Sequence, residues 1–206
     1  MKRAKTSKAW MKEHVNDFFV KQAKKEGYRS RAAYKLLEIN ERDHILKPGL
    51  IVVDLGAAPG SWSQVVSQKV GDTGKIIALD ILEMMPLSNV TFIQSDFREE
   101  PAISELKNHL SGRSANLVIS DMAPNMSGIV VSDQARSMYL AELALAFTME
   151  QLNYGGNFLV KVFQGRDFDP FLREMRASFQ TVAIRKPKAS RDRSNELYLL
   201  GLGKKQ

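Results

Sequence analysis

Asp54-Leu-Gly-Ala-Ala-Pro-Gly60 is a glycine turn with an acidic lead-in. The apolar run Leu50-Ile-Val-Val53 precedes it, and a helix-like Trp62-Ser-Gln-Val-Val-Ser-Gln68 follows. A buried strand that breaks into such a turn and then a helix opens a nucleotide-type α/β unit. Glycines there let the backbone pass close to a ligand where a Cβ would clash. The spacing Gly56-x-x-x-Gly60 is neither the G-x-G-x-x-G of dinucleotide enzymes nor a P-loop, and no lysine follows to hold phosphates. A turn of this kind suits a ligand with a cationic or neutral centre. S-adenosylmethionine, with its sulfonium and amino group, fits that description.

Further acids fall at the ends of later strand candidates. Asp80 could accept hydrogen bonds from both hydroxyls of a ribose. Ser95-Asp96-Phe97 is placed to meet an adenine amino group, and Asp121-Met-Ala-Pro-Asn125 ends the fourth strand. In open α/β sheets ligands sit beyond the carboxyl ends of the strands, so acids at successive strand ends count together. Trp62 either packs in its helix or walls the cofactor pocket.

Lys161 stands inside Phe158-Leu-Val-Lys-Val-Phe163, an otherwise apolar strand that should be central. A charge there is expensive unless paired, and Asp121 at the end of the neighbouring strand is its natural partner. Methylating a hydroxyl needs an in-line oxygen, an exit for its proton and exclusion of water. A lysine serves as base when a second ammonium and partial burial lower its pKa. Read alone, Lys35 is a surface lysine and Glu196 an exposed strand residue.

The elements that must position these groups alternate. Strands are expected at 51–55, 75–79, 90–94, 116–120, 157–163, 181–185 and 196–202, with helices at 62–70, 102–110, 133–152 and 170–179. Helices are also expected over 9–25, ended by Gly27, and from an N-cap at Ser30 to about Arg42. Gly155-Gly156 marks a turn. The pattern predicts a seven-stranded, mostly parallel class I methyltransferase (Rossmann-like) sheet with an antiparallel C-terminal strand and helices on both faces. A basic helical segment at 1–47 and a core at 48–206 would form one compact unit.

With 206 residues, 44% hydrophobic and 26% charged, the chain is long enough for a full core. No apolar run approaches membrane-spanning length, and no apolar segment follows the basic first residues, so neither a membrane span nor a signal peptide is expected. Cysteine is absent and the three histidines are scattered, so no metal is expected and a cytoplasmic location is natural. The net charge of +7 is unevenly spread: residues 1–35 hold 11 Lys/Arg against 3 Asp/Glu, and residues 185–206 hold 7 against 2. Basic ends flanking an acidic body favour a nucleic-acid partner. No extra apolar face is evident, so a monomer is expected.

Ser30-Arg-Ala-Ala-Tyr-Lys-Leu36, Val53-Asp-Leu-Gly-Ala-Ala-Pro-Gly-Ser-Trp-Ser-Gln64, Ser120-Asp-Met-Ala-Pro-Asn-Met-Ser-Gly128, Leu159-Val-Lys-Val-Phe-Gln-Gly165 and Arg185-Lys-Pro-x-x-Ser-Arg-x-Arg-Ser194 together resemble the FtsJ/RrmJ family. These are S-adenosylmethionine-dependent ribose 2′-O-methyltransferases, and the resemblance runs from about residue 10 to the end. In length and motif order the chain is similar to the bacterial heat-shock branch, which implies methylation of a uridine ribose in the A-loop of 23S ribosomal RNA, within the 50S subunit. The resemblance implies a tetrad of Lys35, Asp121, Lys161 and Glu196. Lys161 would handle the 2′-hydroxyl proton, Asp121 would orient it, Lys35 would add positive charge, and Glu196 would support. It implies cofactor contacts at Gly60, Trp62, Asp80, Asp96 and Asp121, with S-adenosylhomocysteine as product. Ser61 stands where close relatives often carry a second glycine. The amino end and the loop from Lys186 to Arg193 would hold RNA phosphates. Competing readings are a methyltransferase acting on an amine or on tRNA ribose, and an RNA-binding ribosome-assembly factor. An NAD-dependent oxidoreductase lacks its glycine fingerprint here.

Overall fold

The computed structural model describes residues 17–125, 127–191 and 194–206. The expected basic segment before residue 17, and Arg193 of the expected phosphate-binding loop, lie outside the described residues.

The chain runs α1 (Phe18–Glu26), α2 (Ala32–Asp43), β1 (Ile51–Leu55), α3 (Ser61–Val70), β2 (Lys75–Asp80), β3 (Val90–Gln94), α4 (Glu100–Leu110), β4 (Ala115–Ser120), α5 (Val130–Gln151), β5 (Leu152–Phe163), α6 (Phe168–Ser178), β6 (Phe179–Arg185) and β7 (Glu196–Lys204). The strands form one sheet in the order β3-β2-β1-β4-β5-β7-β6. The first five are parallel, while β7 lies antiparallel between β5 and β6. This is the expected class I methyltransferase topology.

Strand alternation divides the core. Val53 and Leu55 of β1, with Phe158, Val160 and Val162 of β5, face α4, α5 and α6. Val52, Ile119, Leu159, Tyr198 and Leu200 face α2 and α3. Because side chains alternate with period two, Lys161 shares the face of Leu159 and looks toward α2. Antiparallel register sets it opposite Tyr198, and Phe163 opposite Glu196. The order of β4 beside β5, with Ser120 opposite Val160, brings Asp121 next to Lys161. Three of the four tetrad residues are thus gathered by sheet register, and α2 delivers Lys35 from above that face.

Three boundaries depart from expectation. The first helix does not run through Asp17, whose carboxylate caps α1 by accepting from Phe19 and Val20 N–H groups. Ser30 is not the N-cap of α2, a position held by Arg31. Its hydroxyl accepts from the Ala32 N–H and pairs with the Ser61 hydroxyl at 2.7 Å. Gly155-Gly156 falls inside β5, where the pairing with β4 jumps from Ala115–Leu152 to Leu117–Asn157. Gly155 has φ +77°, which the left-handed kink of this bulge requires. Among the described residues no helix is long and apolar enough to cross a membrane.

Candidate active site

The glycine turn is clipped to β2: the Gly56 and Ala57 N–H groups both donate to the Leu79 carbonyl, at 2.8 and 3.1 Å. Asp80 ties the next residues down, accepting from Ala58 N–H at 2.9 Å and Leu82 N–H at 2.8 Å, one on each oxygen. Gly56 has φ +77°, and a Cβ there would lie 2.7–2.8 Å from Met122 Cγ, Cα and N. The glycine therefore makes room for the loop after β4, and it also lines the cavity beyond the strand ends. Around Gly60 the limit is Arg29, whose guanidinium donates to the carbonyls of Pro59, Met85 and Pro86 and fastens the turn to the loop after β2.

Asp54, fully buried one residue before the end of β1, accepts from the Ser63 hydroxyl at 2.6 Å through Oδ2, while Oδ1 has no hydrogen-bond partner among the described residues. Burial pushes its carboxyl up to about 7. The Ser63 hydrogen bond pulls the other way, and the nearby carboxylates of Asp121 and Asp80 add to the rise.

Beyond these strand ends lies a cavity of about 500 Å³, walled by Gly56, Asp80, Asp96, Asp121, Met122 and Tyr139 among others. Its size falls in the range of small-molecule sites. Asp96 is held below the ordinary carboxylate range by the forked guanidinium of Arg98 at 2.5–3.1 Å and by the Arg98 N–H. The carboxylates of Asp80, Asp96 and Asp121 lining this cavity suit an adenosyl ligand that carries a positive centre. Gly60 and Trp62 do not line the cavity. Trp62 is 2% exposed, donates its indole N–H to the Ala32 carbonyl at 2.8 Å and packs 5.7 Å from the Tyr198 ring. Of the two roles open to it in the sequence, its side chain takes the packing one.

The four residues expected as a tetrad come together around Asp121, which also lines the cavity. Lys161 Nζ lies 3.1 Å from Asp121 Oδ1 and donates to the Asp121 carbonyl at 2.5 Å. Lys35 Nζ donates to Glu196 Oε1 at 2.6 Å. The two pairs are joined by a residue that the sequence reading missed. The Tyr198 hydroxyl donates to Asp121 Oδ1 at 2.7 Å and accepts from Lys35 Nζ at 3.0 Å. Burial, Asp121 and Glu196 all hold this phenol far above its ordinary range, so it stays neutral. Burial alone would raise the Asp121 carboxyl. Lys161, Lys35 and the hydrogen bonds from Tyr198 and Lys161 overcome this and hold it below the ordinary range. Asp121 is therefore ionised, and it alone of the four belongs both to the tetrad and to the cavity wall. A signal for Tyr198 existed: if Glu196 faces the site, the residue two positions on faces it too.

A family model described as FtsJ-like methyltransferase matches residues 28–204. The chain is 69% identical over 205 residues to the ribosomal RNA large subunit methyltransferase E of Nitrosospira multiformis, covering 100% of both chains. It is 59% identical to the protein of the same name from Chromobacterium violaceum, again over 100% of both. Among solved structures, a Plasmodium falciparum protein bearing the name of a ribosomal RNA methyltransferase superposes with a TM-score of 0.78 at 32% identity, covering 86% of this chain and 98% of that one. A Streptococcus mutans protein named as a methyltransferase and solved with SAH is 16% identical with a TM-score of 0.51, over 84% of this chain and 95% of that one, a likeness of fold alone. By its motifs, its sheet and these relatives, the chain belongs to the FtsJ-like methyltransferase family.

Proposed function

We propose that this methyltransferase moves the methyl group of S-adenosylmethionine onto the ribose 2′-hydroxyl of a uridine in the A-loop of 23S ribosomal RNA, in the large subunit. The observation that carries the reading is Lys161, buried beside an ionised Asp121 at the edge of an acid-walled cavity and linked through Tyr198 to the Lys35–Glu196 pair. An amine acceptor has no need of two lysines gathered beside the cavity, whereas a weakly acidic hydroxyl needs one to take its proton and gains from the charge of the other. The names carried by the full-length relatives support large-subunit ribosomal RNA as the substrate class, and the family resemblance supports the A-loop uridine.

When bound, S-adenosylmethionine supplies an electrophilic methyl carbon on a sulfonium that leaves as a neutral thioether. Asp80 offers the remaining lone pairs of both oxygens to ribose hydroxyls, and Asp96 offers its carboxylate to the adenine amino group. Cofactor contacts at Gly60 and Trp62 rest on the family resemblance alone, since the Trp62 ring is committed to the core. Asp121 holds the Lys161 amine through its two N–H bonds, at Oδ1 and at the carbonyl, leaving the nitrogen lone pair for the proton of the incoming 2′-hydroxyl. As the oxygen–methyl bond forms and the methyl–sulfur bond breaks, that proton passes to Lys161, which ends as an ammonium beside ionised Asp121, while the Lys35 ammonium adds positive charge across the site. The basic residues of the 1–47 segment and of the loop from 186 to 193 hold RNA through its phosphates.

The test uses methyl-labelled S-adenosylmethionine and large ribosomal subunits from cells lacking the enzyme, with the labelled ribose mapped afterwards. One 2′-O-methyl group in the A-loop is the expected result. Label in tRNA but not in subunits moves the substrate. No transfer to any RNA despite measurable cofactor binding overturns the catalytic reading in favour of an assembly factor.

A further inference from the structure

The loop that leaves β6 is built with two sides. Lys186 and Lys188 are exposed, while Pro187, Ala189 and Ser190 are buried. The buried side is fastened to α2 at two points. The Lys188 N–H donates to Glu38 Oε2 at 2.8 Å, and the Arg31 guanidinium donates to the Ala189 carbonyl. A turn closes between them, with the Ser190 N–H donating to the Pro187 carbonyl at 2.8 Å. The Ser190 hydroxyl then reaches the tetrad itself, donating to Glu196 Oε1 at 2.9 Å. That same oxygen accepts from Lys35 Nζ at 2.6 Å. Ser190 is 5% exposed and lies outside the cavity wall.

We infer that Ser190 is a positioning residue through which the basic loop sets the Lys35–Glu196 pair when RNA phosphates engage Lys186 and Lys188. The inference rests on the RNA reading above. Its physical content is a shared acceptor. Glu196 Oε1 holds the loop through Ser190 and the tetrad lysine at once, so a shift of the loop moves the carboxylate that places Lys35. Two backbone anchors on α2, the helix that carries Lys35, make loop and lysine one mechanical unit. A misplacement of about 1 Å at a reacting centre costs on the order of a hundredfold in rate, so a small loop displacement is enough to matter.

The experiment measures methyl transfer to large subunits lacking the modification, with kcat and KM for subunits separated and thermal midpoints recorded. Ser190→Ala is expected to lower kcat about tenfold or more, the effect of one hydrogen bond to a charged group, with KM within about twofold and the midpoint lowered by only a few degrees, so that the variant is folded at the assay temperature. Ser190→Thr, which keeps a hydroxyl, restores most of kcat. Lys186→Ala with Lys188→Ala, exposed changes that leave folding intact, raises KM and also lowers kcat. In the Ser190→Ala background the same pair raises KM alone, because the link to Glu196 is already cut. Wild-type kcat in Ser190→Ala overturns the proposal. So does a double-lysine variant that changes only KM in the wild-type background. Failure of the wild-type protein to label subunit RNA overturns the RNA reading and this inference with it, whereas normal wild-type labelling with an unaltered Ser190→Ala overturns the inference alone.

Discussion

Tyr198→Phe separates the tetrad into its two ion pairs without touching a charge. Phenylalanine keeps the ring that packs against Trp62 and removes one oxygen. Asp121 Oδ1 loses its 2.7 Å donor and keeps Lys161 at 3.1 Å, while Lys35 loses its 3.0 Å acceptor and keeps Glu196 at 2.6 Å. Hydrogen bonds to charged groups contribute about 1.5–3 kcal/mol each. Both ions keep an opposite charge, so the combined cost of the two lost bonds should sit near the low end of their sum, about 3 kcal/mol. The larger effect falls on alignment, because the hydroxyl is the link that fixes Asp121 relative to Lys35 across the site. Loss of that link should lower kcat about 10–100-fold, equivalent to roughly 1.4–2.8 kcal/mol at the transition state. Single-turnover transfer at saturating RNA measures this, calorimetric titration with S-adenosylmethionine gives cofactor affinity, and thermal unfolding reports stability. Affinity should stay within about threefold, since the Tyr198 hydroxyl is not part of the cavity wall. Wild-type kcat in a folded variant would refute the linking role. A fall in cofactor affinity as large as the fall in kcat would move the role from the tetrad to the cavity.

Three further perturbations probe other parts of the site. Lys161→Ala should reduce transfer at least a hundredfold, the usual scale of general acid–base assistance, with cofactor binding by calorimetry nearly intact; near-wild-type turnover would remove Lys161 from proton handling. Asp54 has a carboxyl raised to about 7 in the folded state from 3.8, so the folded protein keeps a proton that the unfolded chain releases as pH climbs from about 4. Stability should therefore fall across pH 4 to 7, by an upper limit on the order of 4 kcal/mol for this group. Asp54→Asn should flatten that decline in thermal midpoint against pH, and parallel wild-type and variant curves would contradict it. Gly56→Ala places a methyl group against Met122 backbone at φ +77° and should cost about 2–4 kcal/mol in urea unfolding; a change under about 0.5 kcal/mol would mean that the two loops part easily.

The fold was legible because its signals are local. Apolar runs ending in glycine or acidic turns mark β1 to β4, and the missing helix between β6 and β7 marks the antiparallel end. Where local signals failed, a neighbour had intervened. Asp17 starts α1 by accepting two N–H groups, and Gly155 lets β5 bulge and continue where a turn was expected to break it.

The site divides along the same line. Lys161 announced itself because a charge amid Phe158-Leu-Val and Val-Phe163 needs a reason, and strand order named Asp121 as its partner. Lys35 and Glu196 carried no such mark and entered only through the family resemblance. Their partnership spans 161 positions and exists because α2 packs over the face on which β7 displays every second residue. Tyr198 was hidden more deeply, since an aromatic residue in a strand ordinarily reads as core, and its ring is core. Only its oxygen is functional in character. The periodicity that buries Tyr198 among Leu159 and Leu200 also aims that oxygen between two ion pairs. Packing and the proposed catalytic cluster thus depend on one register, and a one-residue slip of β7 against β5 would turn Tyr198 and Glu196 to the opposite face together.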